Sequence, residues 1–262
     1  MTLWWDAAWG VVRRDAIIYF SYRTQLVSQL FGVMFSVVLF HYIARLLHTT
    51  TINYFAFVVI GLVIVQALVT TLGAIPGALR QEMVAGTLER FLVSRFGAPA
   101  GILAMIAFPT LLSFATGILM LVFAVVVFGM HLAGTAPLAI PVALLGVLAF
   151  VPVTLLLAAP VIVVKQATFA VQFVLAGIAI IGGLYFPVSL LPAWIRWAAD
   201  VQPFTPATDA LRHLLVGSPA QHSMALDLGK LAGFAIVLFP LAMWALRRTV
   251  VYAQRRGTVI EY

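Results

Sequence analysis

Six long apolar stretches fill most of this 262-residue chain, and they decide what it can fold into. Hydrophobic residues make up 64% of the sequence and charged residues 9%, against roughly 25% charged in ordinary globular domains. A soluble fold cannot bury that much apolar surface. A helix rises about 1.5 Å per residue, so about 20 apolar residues cross about 30 Å of hydrocarbon. Only helices and closed barrels satisfy their backbone polar groups in lipid. Barrel strands alternate polar and apolar over about ten residues, whereas these runs are apolar on all sides. The expectation is an all-α integral membrane protein, one domain over 1–262, with six transmembrane helices.

The spans are placed at about Leu26–Leu46, Tyr54–Ile75, Ile102–Phe128, Leu138–Val164, Phe169–Tyr185 and Leu228–Leu246. Pro141, Pro152 and Pro160 bend the fourth, which a bundle tolerates where neighbours compensate. Ahead of the first span, residues 4–23 read as an interfacial helix. Trp5, Trp9, Val12, Ala16 and Phe20 recur at helical spacing, opposite Asp6, Arg13 and Arg14. That helix is either a plain anchor or has a further role. The arginines follow the aromatics instead of preceding an apolar core, so the start is expected to be kept, not cleaved as a signal.

Lysine and arginine set the orientation. With both termini on one side, that side holds Arg13, Arg14, Arg23, Arg80, Arg90, Arg95, Lys165, Arg247, Arg248, Arg255 and Arg256. The other side keeps only Arg45, Arg196, Arg212 and Lys230 of the 15 basic residues. Both termini and the charged segment 77–97 are expected to be cytoplasmic, and 186–227 external. The same sorting accounts for the net charge of +7 without nucleic acid. Residues 186–227 are too broken for a span and too apolar for a free loop. They read as one or two short helices, near 192–200 and 206–216, with Trp194 and Trp197 at headgroup level. Asp200 and Asp209 are set against Arg196 and Arg212 in sequence.

Several functions are excluded or disfavoured. Without cysteine there is no disulfide, thiolate metal site or cysteine nucleophile. His131, His213 and His222 lie in external regions, and no metal-ligand spacing links them to a carboxylate, so no metal is expected. An ion-coupled carrier needs ionisable groups within its spans, and all eight acidic residues lie outside the expected ones. No Gly-x-x-x-x-Gly-Lys-[Ser/Thr] occurs, so the chain holds no phosphate loop and is not itself an ATPase.

In the charged segment, Glu82 and Glu89 are seven residues apart and lie near one helix face, close to Arg90. Gly86 in mid-helix costs about 1 kcal/mol relative to alanine and admits another backbone. On charge pattern alone this is a solvated connection. The run Glu82-x-x-x-Gly86-Thr87-Leu88-Glu89-x-Phe91-Leu92, followed by Pro99, resembles the cytoplasmic coupling helix of ABC type-2 exporter permeases. So does the external stretch: Gly183-Leu-Tyr-Phe-Pro187, Leu191-Pro192-x-Trp194, and Gln202-Pro203-Phe204-Thr205-Pro206-Ala207-x-Asp209-Ala210-Leu211-Arg212. One departure is that Ser94 is followed by Arg95, where the family often has proline.

The resemblance implies a permease subunit in the inner membrane of a prokaryote, paired with itself or with a similar permease chain and with membrane lipid around it. A separate ATP-binding subunit would hold ATP and Mg, this chain needing no cofactor of its own. Segment 78–95 would pass that subunit's closure to the spans through Glu82, Gly86, Thr87, Glu89 and Arg90. The carboxylates and Arg90 offer charge-assisted hydrogen bonds to such a partner. The cargo path and external gate would involve Phe35 on the first span with Gly177, Gly183, Tyr185, Phe186 and Pro187. Gly177, Gly182 and Gly183 serve either helix packing or that path. The pattern looks more like the drug and lipo-oligosaccharide branch than the large-polysaccharide branch. Tyr19, Tyr22, Phe35 and Phe40 could stack on a glycan cargo.

Overall fold

The computed structural model describes residues 2–47, 53–84, 98–163 and 168–255. Along them the chain forms α1 (Thr2–Ser21), α2 (Arg23–Leu47), α3 (Tyr54–Val84), α4 (Ala98–Phe128), α5 (Ala139–Val163), α6 (Thr168–Ile181), α7 (Ala193–Asp200), α8 (Phe204–Val216) and α9 (Met224–Arg255). Short 3-10 turns at Ala136–Leu138 and Val188–Leu190 lead into α5 and α7. No strand occurs among the described residues.

Among the described residues, five helices are long and apolar enough to cross a membrane, over Arg23–Leu47, Tyr54–Thr71, Ala104–Phe128, Ala136–Leu157 and Met224–Thr249. The fifth expected span is shorter than anticipated: α6 has 14 residues and stops at Ile181, not at Tyr185. The reason is local. Gly183 takes a left-handed φ of 67°, and a Cβ on Gly182 would stand 2.7 Å from the Ile178 carbonyl oxygen. The Leu184 N–H turns back to Ala179 O, closing the helix end.

Helix α3 is the centre of the bundle. Phe55 to Ile60 and Leu62 are all buried, because every side of this stretch has a neighbour. Toward α2 and α4 it packs with Val33, Val37, Met120 and Ala124. Its Ile60 joins Ala139, Val142 and Ala149 of α5, Ala207, Ala210 and Leu214 of α8, and Leu231 of α9. Ile64 and Leu68 meet Leu175 and Ala179 of α6, with Leu184 and Phe204. The small residues on α5 and α8 let these helices approach closely, the common packing device in lipid. Helix α9 lies along α5, and α4 along α3.

The prolines fall where the chain can bear them. Pro141 is in the first turn of α5, where its missing N–H has no helical partner to lose. Pro109 is inside α4, and next to it the Thr110 hydroxyl donates to Ile106 O at 2.8 Å.

Helix α1 divides its apolar residues between two directions. Val12, Ala16 and Tyr19 are half-buried. Tyr19 meets Phe108 of α4 edge-on at 5.7 Å, and its hydroxyl donates to Gln29 Oε1 of α2 at 2.7 Å. Trp9 and Phe20 point away from the protein and are exposed. The sequence pattern had grouped Trp9, Val12, Ala16 and Phe20 on one face.

Candidate functional site: a cap fastened by one arginine

The two short helices expected near 192–200 and 206–216 are present as α7 and α8. With the turn at 182–192 they form a cap over one end of the bundle. Each helix is fitted by its neighbours. Pro192 precedes α7, where an early proline is tolerated. Helix α8 ends at Gly217, whose left-handed φ of 67° lets its N–H reach His213 O and that of Ser218 reach Arg212 O.

Arg212 of α8 ties the turn at 183–184 to α8 and both of them to α3. Its side chain is 5% exposed. Nε donates to Phe57 O at 3.0 Å, Nη1 to Gly183 O at 3.0 Å, and Nη2 to Leu184 O at 2.9 Å. The guanidinium carbon lies 3.3 Å from the Phe57 ring centroid, a cation–π contact strengthened by the absence of water. The next carbonyl, Tyr185 O, accepts from the Tyr54 hydroxyl at 3.2 Å. Three successive carbonyls of the turn, at 183, 184 and 185, are therefore all taken by side chains. Burial lowers the Arg212 pKa to about 9, against the opposing pull of Asp209 and Tyr54, so the guanidinium stays charged at neutral pH. Gly61 completes the fit: a Cβ there would collide with the Leu184 carbonyl.

The sequence neighbours are not the ion-pair partners. Asp200 takes Lys230 of α9, at 2.8 Å. Arg196 donates to Ser189 O and Leu191 O. Asp209 accepts from the Gln221 N–H at 2.8 Å. An arginine satisfied by backbone carbonyls leaves no pairing signature in the sequence. What could have flagged Arg212 is its position amid Leu211, Leu214 and Leu215, where an unpaired cation would be costly.

The expected path and gate residues separate into three groups. Tyr185 is half-buried and stacked on Phe40 of α2 at 5.9 Å. Gly183, Phe186 and Pro187 build the cap turn: a Cβ on Gly183 would meet Val188 Cγ2 at 2.6 Å, Phe186 packs with Val188, Leu191 and Ala199, and Pro187 precedes the 3-10 turn. Phe35 and Gly177 stand apart from the cap. Phe35 is exposed and stacks with Phe31 at 6.1 Å, and a Cβ on Gly177 would meet nothing within 4 Å. Of the expected coupling residues, Glu82 lies near the end of α3, which continues unbroken through 78–84. Gly86, Thr87, Glu89 and Arg90 lie outside the described residues.

A further sequence expectation is overturned. Asp227 is not outside the last span; it lies within the apolar helix Met224–Thr249. That helix starts four residues earlier than anticipated because Ser223 caps it, its hydroxyl and carbonyl both accepting from the Leu226 N–H. The fold also joins groups that sequence spacing kept apart: ligand atoms of Asp209, His222 and Asp227 lie within 4.8 Å of one another. Between α3, α4 and α5, a cavity of about 20 Å³ is lined by Thr71, Thr110, Ser113 and Thr154 among apolar residues. It has room for a single water.

An all-helical bundle with several apolar helices of membrane-crossing length, and two short helices packed over one end, defines a multi-pass membrane protein. The family model for ABC-2 type transporters matches residues 7–216. The chain belongs to that family: it is a transmembrane permease component of an ABC transporter, a type of subunit that partners a separate ATP-binding subunit and is not itself the ATPase. A search of curated proteins finds no match to it.

Proposed function

We propose that this subunit works as an identical pair with its ATP-binding partner to export an amphipathic, drug-like or lipid-like molecule across the cytoplasmic membrane of a prokaryote. ATP and Mg are held by the partner. Both termini and segment 78–95 face the cytoplasm and the cap faces outside, a reading supported by the distribution of basic residues.

The observation that carries this reading is helix α3. It runs as one element from Tyr54, beneath the cap, past Glu82 to Val84, about 46 Å at 1.5 Å per residue. Its Phe57 carbonyl accepts from Arg212, and its Ile64 and Leu68 pack with Leu184. Its last turn enters the segment with the coupling pattern. A push on that segment is delivered along one rod to the floor of the external cap. Glu82, Gly86, Thr87, Glu89 and Arg90 form the contact that receives the push.

The cargo moves at the subunit interface, not through one protomer. Helix α2 exposes Val27, Phe31, Phe35, Leu39, Tyr42 and Leu46 at steps of three or four residues, a continuous apolar stripe for the second copy or for cargo. A glycan route along stacked aromatics is less well supported. Of the four aromatics suited to it, Tyr19 is bonded to Gln29 and Phe40 is stacked under Tyr185, leaving Tyr22 and Phe35 exposed.

The test is Glu89→Lys in the subunit co-expressed with its ATP-binding partner. The variant should insert and assemble normally, and lose substrate-stimulated ATP hydrolysis and export. Normal stimulation and export in that variant would overturn the coupling role.

A further inference from the structure

Asp227 presents an unusual problem. Its side chain is 1% exposed, and neither carboxylate oxygen has a hydrogen-bond partner among the described residues. A buried polar group in this state costs free energy, and a buried charge more. The cations that could relieve it are committed elsewhere. Lys230, one turn along α9, is 2.8 Å from Asp200. Arg212 is spent on three carbonyls. His222 Nδ1 is 3.9 Å from Asp227 Oδ1, too far for a hydrogen bond. A second carboxylate, Asp209, faces the same point, so like charges are gathered where one would already be costly.

We propose that Asp209, His222 and Asp227 form a binding site for one divalent transition-metal ion, of which zinc is the best fit. Two carboxylates and an imidazole are a donor set suited to zinc, with water completing a four-coordinate shell. Calcium and magnesium prefer oxygen donors alone. Bonds of about 2.0–2.2 Å place tetrahedral ligand atoms roughly 3.3–3.6 Å apart, so the present separations, all within 4.8 Å, need a modest contraction. The group able to supply it is His222. It is exposed, in the connection between α8 and α9, whereas Asp227 is fixed in a helix. Asp209 is already oriented by the Gln221 N–H at its Oδ2, the kind of supporting bond that aims a metal ligand.

The ion would neutralise the buried carboxylates and tie three elements together: α8, the α8–α9 connection and the start of α9. Since α8 also carries Arg212, the metal would brace the same cap from its other side. The site is independent of the cargo and of ATP coupling.

The test uses the full chain purified without a histidine tag, stripped with chelator and dialysed against zinc or magnesium. Metal content and thermal unfolding are read for the native chain, His222→Ala and Asp227→Asn. The native chain should retain one zinc per subunit and unfold several degrees higher, reversibly with chelator, and magnesium should not substitute. His222→Ala, a change at an exposed side chain, should weaken zinc affinity by about tenfold or more, and Asp227→Asn should abolish it. Failure of the native chain to take up zinc would overturn the proposal. So would uptake and stabilisation equal in the native chain and in His222→Ala, which would place the metal at other histidines.

Discussion

Replacing Arg212 by methionine keeps the length of the stem and removes the guanidinium. Three hydrogen bonds to carbonyls at 2.9–3.0 Å are lost, each worth about 1.5–3 kcal/mol when the donor is charged. The loss is offset by no longer burying a cation, which costs several kcal/mol. The balance is a weakening of the junction between α8, the 183–184 turn and α3 by about 2–4 kcal/mol, or on the order of 30- to 1,000-fold in its opening equilibrium. The effect should be local. Hydrogen exchange in lipid nanodiscs should accelerate by that factor in peptides covering 182–190 and 204–216, while peptides from the α5–α9 contact keep their native rates. Arg212→Lys should fall between, because an ammonium is a point donor and cannot span Phe57 O, Gly183 O and Leu184 O in the planar fork that arginine provides. Native exchange across 182–190 in Arg212→Met would refute the assignment of the arginine as the fastener.

Gly61→Ala should lower the thermal midpoint of the purified subunit by several degrees, since its Cβ has no room beside the Leu184 carbonyl; Gly233→Ala, with nothing within 4 Å, is the control and should leave the midpoint within a degree or so. Because the chain has no cysteine, Ala85→Cys and Ala220→Cys give clean labelling probes: impermeant maleimide should reach position 85 only from the cytoplasm and 220 only from outside, and the opposite result would reverse the topology. Lys230→Ala should cost less than about 1 kcal/mol in chemical denaturation, as exposed ion pairs usually do, because Asp200 is 56% exposed; a larger loss would mean that the pair is a true anchor of α9.

The helical class and the two cap helices were legible because they rest on local pattern. Apolar length marks the spans, and Pro192, Pro203 and Gly217 punctuate the cap helices within a few residues of where they occur. The end of α6 was less legible, since an apolar run continues through Leu184 and Tyr185 after the helix has stopped. There the glycine pair at 182–183 decides, and its effect depends on contacts with Val188 and Gln202. The partners of Arg212 were hidden for a different reason: a backbone carbonyl exists at every position and advertises nothing. Asp227 was misplaced by a short margin with a large result, because four extra residues at the start of α9 carry it from a presumed loop into a buried position.

The burial of Phe55 to Leu62, Ile64 and Leu68 against α2, α4, α5, α6 and α8 bears on how such a subunit changes state. A helix hemmed in on all sides cannot slide by small degrees without disturbing every neighbour at once, since packed interiors deform little. Interfaces of this sort have two good fits and poor ones between. The subunit is therefore built to snap and not to creep, and one nucleotide cycle should produce one discrete rearrangement shared by the whole bundle.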